Sequence, residues 1–131
     1  MADFTFPKAE KLVSKKLIAE TFRKGNQYFS YPLKFFFLPK EKTDLIAPVQ
    51  VLVSVPKKSF RKAVHRNKIK RQLKEVYRLN KNSIHSSLQD KQLHCCIAVI
   101  FIAKKSVSYS DINQAFLSFT SEINKLEISK P

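Results

Sequence analysis

The chain has 131 residues, 44% of them hydrophobic, with 25 Lys plus Arg against 10 Asp plus Glu, a formal net charge of +15 and a pI of about 10.0. That length holds one core, so residues 1–131 read as a single domain, and the apolar content is too high for a disordered chain. So large a cationic excess points to nucleic acid, because each phosphate contact releases a condensed counterion, and a membrane span is excluded because the longest apolar run, residues 95–103, stops at Lys104.

Residues 1–16 carry charges throughout, without the unbroken apolar region of a secretory signal, so a cytoplasmic location is expected. Ser14 suits the N-cap of a helix running to about Lys24, with Leu17, Ile18, Thr21 and Phe22 on one side. Gly25, the only glycine, stands where a left-handed stop is easiest. Residues 26–31 and 33–38 read as strands, the second bracketed by Pro32 and Pro39 and carrying Phe35, Phe36 and Phe37. Residues 40–44 form a polar loop. Val49, Val51, Val53 and Val55 then alternate with Gln50, Leu52 and Ser54 in a β-branched strand that ends at Pro56.

Over residues 62–80 the period becomes helical, since Ile69, Leu73, Val76 and Tyr77 fall at i, i+4, i+7 and i+8. Residues 81–92 are a polar connection that either extends this helix or frays. Residues 94–103 are near-continuously apolar, as in a buried central strand with parallel pairing. Cys95 and Cys96 lie in it as neighbours on opposite faces, so they support neither a disulfide framework nor a zinc site. Ser108, three residues before Asp111, caps a last helix through Ile112, Phe116, Phe119 and Ile123. The order of elements fits an α+β sandwich of helices against a small mixed sheet.

Charge is concentrated in residues 57–81, which hold eleven of the 25 basic residues and, as the only acid, Glu75. Arg66, Lys70, Lys74 and Arg78 recur every four residues and form a stripe beside the apolar face. Like charges at that spacing repel one another in the free protein, and a phosphate backbone supplies anions in series to neutralise them. A merely solvated face would interleave acidic residues.

Lys57-Lys58, followed by Ala63-Val64-His65-Arg66-Asn67-Lys68-Ile69-Lys70-Arg71-Gln72-Leu73-Lys74-Glu75, resembles the signature of the bacterial ribonuclease P protein family, which carries Arg-Asn-Arg-x-Lys-Arg in this helix. The likeness extends from Phe22-Arg23-Lys24-Gly25 to Ile102-Ala103-Lys104-Lys105 and the helix after Tyr109. Three departures are Lys68 for the second Arg, Pro56 where Ser is commoner, and Ser59-Phe60-Arg61-Lys62 in place of a shorter glycine-containing turn. The resemblance implies a two-layer sandwich of a mixed four-stranded sheet and three helices in the order αβββαβα. It is a ribosomal-protein-S5-domain-2-like fold with a left-handed βαβ crossover, against the usual right-handed preference.

It further implies a subunit of ribonuclease P, in which a catalytic RNA cuts the 5′ leader from precursor tRNA. Lys57, Lys58, Arg61, Lys62, Arg66, Asn67, Lys68, Lys70, Arg71 and Lys74 then form the surface for the catalytic RNA, and Ile18, Phe22 and Phe36 line a cleft for the single-stranded leader. Lys68 can meet a phosphate but lacks the planar fork of Arg. Aromatic rings suit unpaired bases of any identity. By residue type alone each Phe is more readily core, and Phe35 and Phe37, alternating with Phe36, are expected to be buried.

No catalytic apparatus of the protein's own is visible. His65, His85 and His94 are scattered, each suited to a surface or capping place, and the ten acids form no cluster for paired metals or a small-molecule substrate. The resemblance accounts for this by assigning hydrolysis to the RNA, with Mg²⁺ held chiefly by RNA and substrate phosphates. The alternatives are another structured-RNA-binding protein, of ribosomal type, and a DNA-binding module that lays the residue 62–80 helix in a major groove.

Overall fold

A computed structural model describes residues 8–40, 47–90 and 94–125. A 3-10 turn, Lys8–Glu10, precedes helix α1 (Lys15–Lys24). Strands β1 (Asn26–Ser30), β2 (Leu33–Lys40) and β3 (Val49–Ser54) follow, then helix α2 (Ala63–Asp90), strand β4 (His94–Phe101) and helix α3 (Tyr109–Lys125). The sheet order is β1-β2-β4-β3, with β3 and β4 parallel and the other pairs antiparallel. The expected α+β arrangement of three helices and a mixed four-stranded sheet is therefore present.

Alternation along β2 decides what each sheet face does. Leu33, Phe35 and Phe37 are buried and point into the main core with Val49, Val51, Ile97, Val99 and Phe101. Ile69, Leu73, Val76 and Tyr77 of α2 and Ile112, Phe116, Phe119 and Ile123 of α3 close that core. Phe119 stacks on Phe35 with centroids 4.1 Å apart, and burying each such ring contributes about 1.5–3 kcal/mol. On the opposite face α1 covers a smaller apolar cluster of Leu12, Leu17, Ile18, Leu38, Leu52 and Cys96. Cys95 belongs to the main core and Cys96 to the smaller cluster, so the two thiols do lie on opposite faces; burial pushes both thiols up.

Both helix starts follow the expected chemistry. Ser14 Oγ accepts from Leu17 N–H at 3.3 Å, and Ser108 Oγ accepts from Asp111 N–H at 3.1 Å. Gly25 departs from expectation: its φ of −65° and ψ of 152° are extended, not left-handed. Glycine is required there by close approach, since a Cβ would stand 2.3 Å from Thr21 O and 3.1 Å from Phe37 O. Pro39 does not bound β2 but lies inside it, paired with Cys95. The β1 ladder ends at Phe37, so Pro39 sits past it, where an edge tolerates a residue without an N–H.

The second helix does not stop near residue 80: of the two readings of residues 81–92, extension holds, as far as Asp90. Ile84 and Leu88 continue the buried face of Ile69, Leu73 and Val76, and the polar residue between them, Lys81, is only 1% exposed. Its ammonium donates to Glu10 Oε2 at 3.0 Å, and Tyr77 donates its hydroxyl to Glu10 Oε1 at 2.9 Å. His85 Nε2 lies 3.6 Å from the same carboxylate, so His85 is part of this half-buried cluster and not a plain surface residue. The residue 40–44 loop falls mostly outside the described residues, and Lys40 itself closes β2.

Candidate nucleic-acid interface

The register of α2 sets out its basic residues. With Ile69, Leu73 and Val76 turned inward, Asn67, Lys68, Arg71 and Lys74 are exposed and Lys70 is half-buried along the solvent side. Asn67, Lys70, Arg71 and Lys74, with the exposed Val64, line a shallow depression of about 480 Å³. Among the described residues, none of the three cations Lys70, Arg71 and Lys74 has an ion-pair partner. Lys57, Lys58, Arg61 and Lys62 are exposed on the turn leading into the helix.

Three cations of that window have other engagements. Lys81 is buried against Glu10 and does not belong to the exposed row. Arg78 donates to both oxygens of Glu75, at 2.6 and 3.1 Å, and these bonds hold the Glu75 carboxyl below its ordinary range. Arg66 Nη1 donates to Phe60 O at 2.8 Å and Arg61 O at 2.7 Å. Phe60 is buried against Phe101, with centroids 5.7 Å apart, so this turn is anchored in the core at one end and tied to α2 by Arg66 at the other. A turn that lacks glycine is shaped in this way.

The second surface lies across the sheet. Phe36 points away from the main core, and its ring meets that of Phe22 of α1 edge-on, with centroids 4.9 Å apart at 66°. Phe22 is 37% exposed and Phe36 half-buried, while Ile18 packs into the small cluster beneath α1. Sequence reasoning missed two neighbours. Lys34 places its ammonium 5.1 Å from the Phe36 centroid, a separation at which a cation is attracted to a ring face. Phe29 pairs with Lys34 on β1, hence on the same face, and is 63% exposed. The two-residue strand period would have placed Lys34 beside Phe36, whereas no residue pattern marked Phe29 as open.

Among the described residues no three His, Cys, Asp or Glu side chains converge on a point that could hold a metal ion. No described helix is long and apolar enough to cross a membrane. Helix α2 leads into strand β4 and not, through a short turn, into a second helix, so it is not half of a helix-turn-helix.

Residues 6–127 match the model of the family Ribonuclease P. The chain is 34% identical over 113 residues to the ribonuclease P protein component of Porphyromonas gingivalis, covering 86% of this chain and 81% of that one. Its identity to the ribonuclease P protein component of Chlorobium phaeobacteroides is 32% over 131 residues, covering 94% and 82%. The fold superposes on the RNase P protein of Staphylococcus aureus with a TM-score of 0.66 at 25% identity, covering 90% of this chain and 97% of that one. For the RNase P protein of Thermotoga maritima the TM-score is 0.68 at 21% identity, covering 91% and 99%. The chain belongs to the ribonuclease P protein family, as the protein subunit that partners the catalytic RNA of that endoribonuclease.

Proposed function

We propose that the two surfaces divide the subunit's work. Lys57, Lys58, Arg61, Lys62, Arg66, Asn67, Lys68, Lys70, Arg71 and Lys74 dock on the catalytic RNA, while Ile18, Phe22 and Phe36 take the single-stranded 5′ leader of precursor tRNA. Lys34 and Phe29 extend the second surface. The observation that carries this reading is the Phe22–Phe36 ring pair, left accessible beside the Lys34 ammonium on the sheet face away from the main core. An unpaired base stacks on such rings whatever its identity, and the adjacent cation meets its phosphate.

The protein's own groups bind and orient; hydrolysis belongs to the RNA, with Mg²⁺ held by RNA and substrate phosphates. The described side chains offer no cluster that fits such an ion, so no step is assigned to them. The work is placed in the cytoplasm, where precursor tRNA is made. Affinities of RNase P RNA for precursor and mature tRNA, with and without the protein, test the reading. The protein is expected to strengthen precursor binding selectively, and an equal gain for both ligands removes the leader role.

A further inference from the structure

The segment that follows the Lys8–Glu10 turn is held along the outer edge of β3. Leu12 N–H donates to Val51 O at 3.0 Å, Gln50 Nε2 donates to Ala9 O at 3.1 Å, and Lys11 forms a parallel bridge with Val51. Helix α2 clamps the segment from the other side through Lys81, Tyr77 and Glu10. Glu10 is 6% exposed and Leu12 2%, so this strap is fixed at both of Lys11's neighbours, and the Lys11 side chain between them is turned outward.

Strap and helix are the two walls of a groove. Lys11 bounds a depression of about 340 Å³ with Arg71, Lys74 and Arg78, and one of about 210 Å³ with Lys70 and Lys74 over a floor that includes Val51 and Leu52. Lys74 also lines the 480 Å³ depression near the start of α2, so it borders all three. A phosphodiester chain lying between walls that both carry cations meets positive charge on two sides.

We propose that this groove is a two-walled site for an RNA backbone, in which Lys11 contacts a phosphodiester of the RNase P RNA opposite Lys74. The inference rests on the reading of α2 as the face that docks on that RNA. It adds a contact from outside the helix, on a segment whose backbone is anchored by the buried Glu10 carboxylate. The occupant is the catalytic RNA and not the leader, since β3 lies at the far side of β4 from β2, which carries Phe36.

Binding of RNase P RNA to the full chain across a monovalent salt series distinguishes the contributions, using wild type, Lys11→Ala, Lys74→Ala and Lys125→Ala. Lys125 is an exposed cation at the end of α3 and serves as the charge-matched control. Circular dichroism melts verify folding, which the exposed Lys11 side chain is not expected to affect. Losing one phosphate contact makes the slope of log K against log salt shallower by roughly 0.7–0.9, expected for Lys11→Ala and Lys74→Ala but not for Lys125→Ala. A wild-type slope for Lys11→Ala beside a reduced one for Lys74→Ala overturns the two-walled site and leaves the α2 reading standing. Wild-type slopes for both overturn the two together. An equal fall in Lys125→Ala also overturns the site, since any surface cation then counts alike.

Discussion

Glu10 and Lys81 stand 71 residues apart in the chain and form an ion pair of 3.0 Å, with both side chains less than a tenth exposed. Tyr77 donates to the other carboxylate oxygen, and burial together with the neighbouring Glu10 charge pushes its hydroxyl pKa far up, so it remains a donor. Removing one member of such a pair leaves an uncompensated buried charge. Glu10→Ala is therefore expected to cost about 3–5 kcal/mol, read from urea unfolding. A loss below about 1 kcal/mol, the range of exposed pairs, contradicts the latch.

Arg66 has two duties that different variants separate. Its guanidinium ties the carbonyls of Phe60 and Arg61 to α2 and also adds charge to the side proposed to dock on the RNA. Arg66→Ala is expected to lose about 1–2 kcal/mol of stability and to weaken RNA binding. Arg66→Lys keeps the charge without the planar fork, so it recovers RNA affinity in part and stability little. Full recovery of both by Lys contradicts the carbonyl-bridging role, and urea unfolding with RNA titration reads the two effects.

Glu20 joins α1 to the end of β2 by accepting from Lys40 Nζ at 2.8 Å. That hydrogen bond holds the Glu20 carboxyl below its ordinary value of 4.5. The folded state then favours the charged form, so the contribution is fully present above about pH 4.5 and is lost as pH falls through the folded-state value. With both side chains about a fifth exposed, Glu20→Gln is expected to cost at most about 1 kcal/mol at neutral pH. Thermal melts in acid should bring variant and wild type together, and a gap that persists there contradicts the linkage.

Periodicity made much of this molecule legible. The buried Ile69, Leu73 and Val76, the alternating valines of β3 and the Ser14 and Ser108 caps follow from local chemistry. What failed to show depended on distant partners. Lys81 interrupts the apolar face of α2, so extension and fraying beyond it read alike, because Glu10, which neutralises it, lies far away in the chain. Gly25 reads as a left-handed stop because residue type does not reveal that Thr21 O and Phe37 O crowd it. The basic surface was legible from charge density alone, with the exception of Lys81. The aromatic surface was not, because eleven Phe residues look alike until the sheet assigns Phe35 and Phe37 to the core and leaves Phe22 and Phe29 exposed and Phe36 half-buried on the other face.

The most direct measurement of the proposed division of labour is the ratio of precursor to mature tRNA affinity in particles reconstituted with wild type, Phe36→Ala or Lys74→Ala, at protein concentrations that saturate the RNA. Phe36→Ala should lower that ratio by the loss of one stacked base, about 1–3 kcal/mol or roughly 5–150-fold, while assembly with the RNA is unchanged. Lys74→Ala should demand more protein for assembly and leave the ratio at its wild-type value. A Phe36→Ala particle that still prefers precursor tRNA as strongly as wild type, or a Lys74→Ala particle that loses the preference once assembled, contradicts the assignment of leader and catalytic RNA to separate faces.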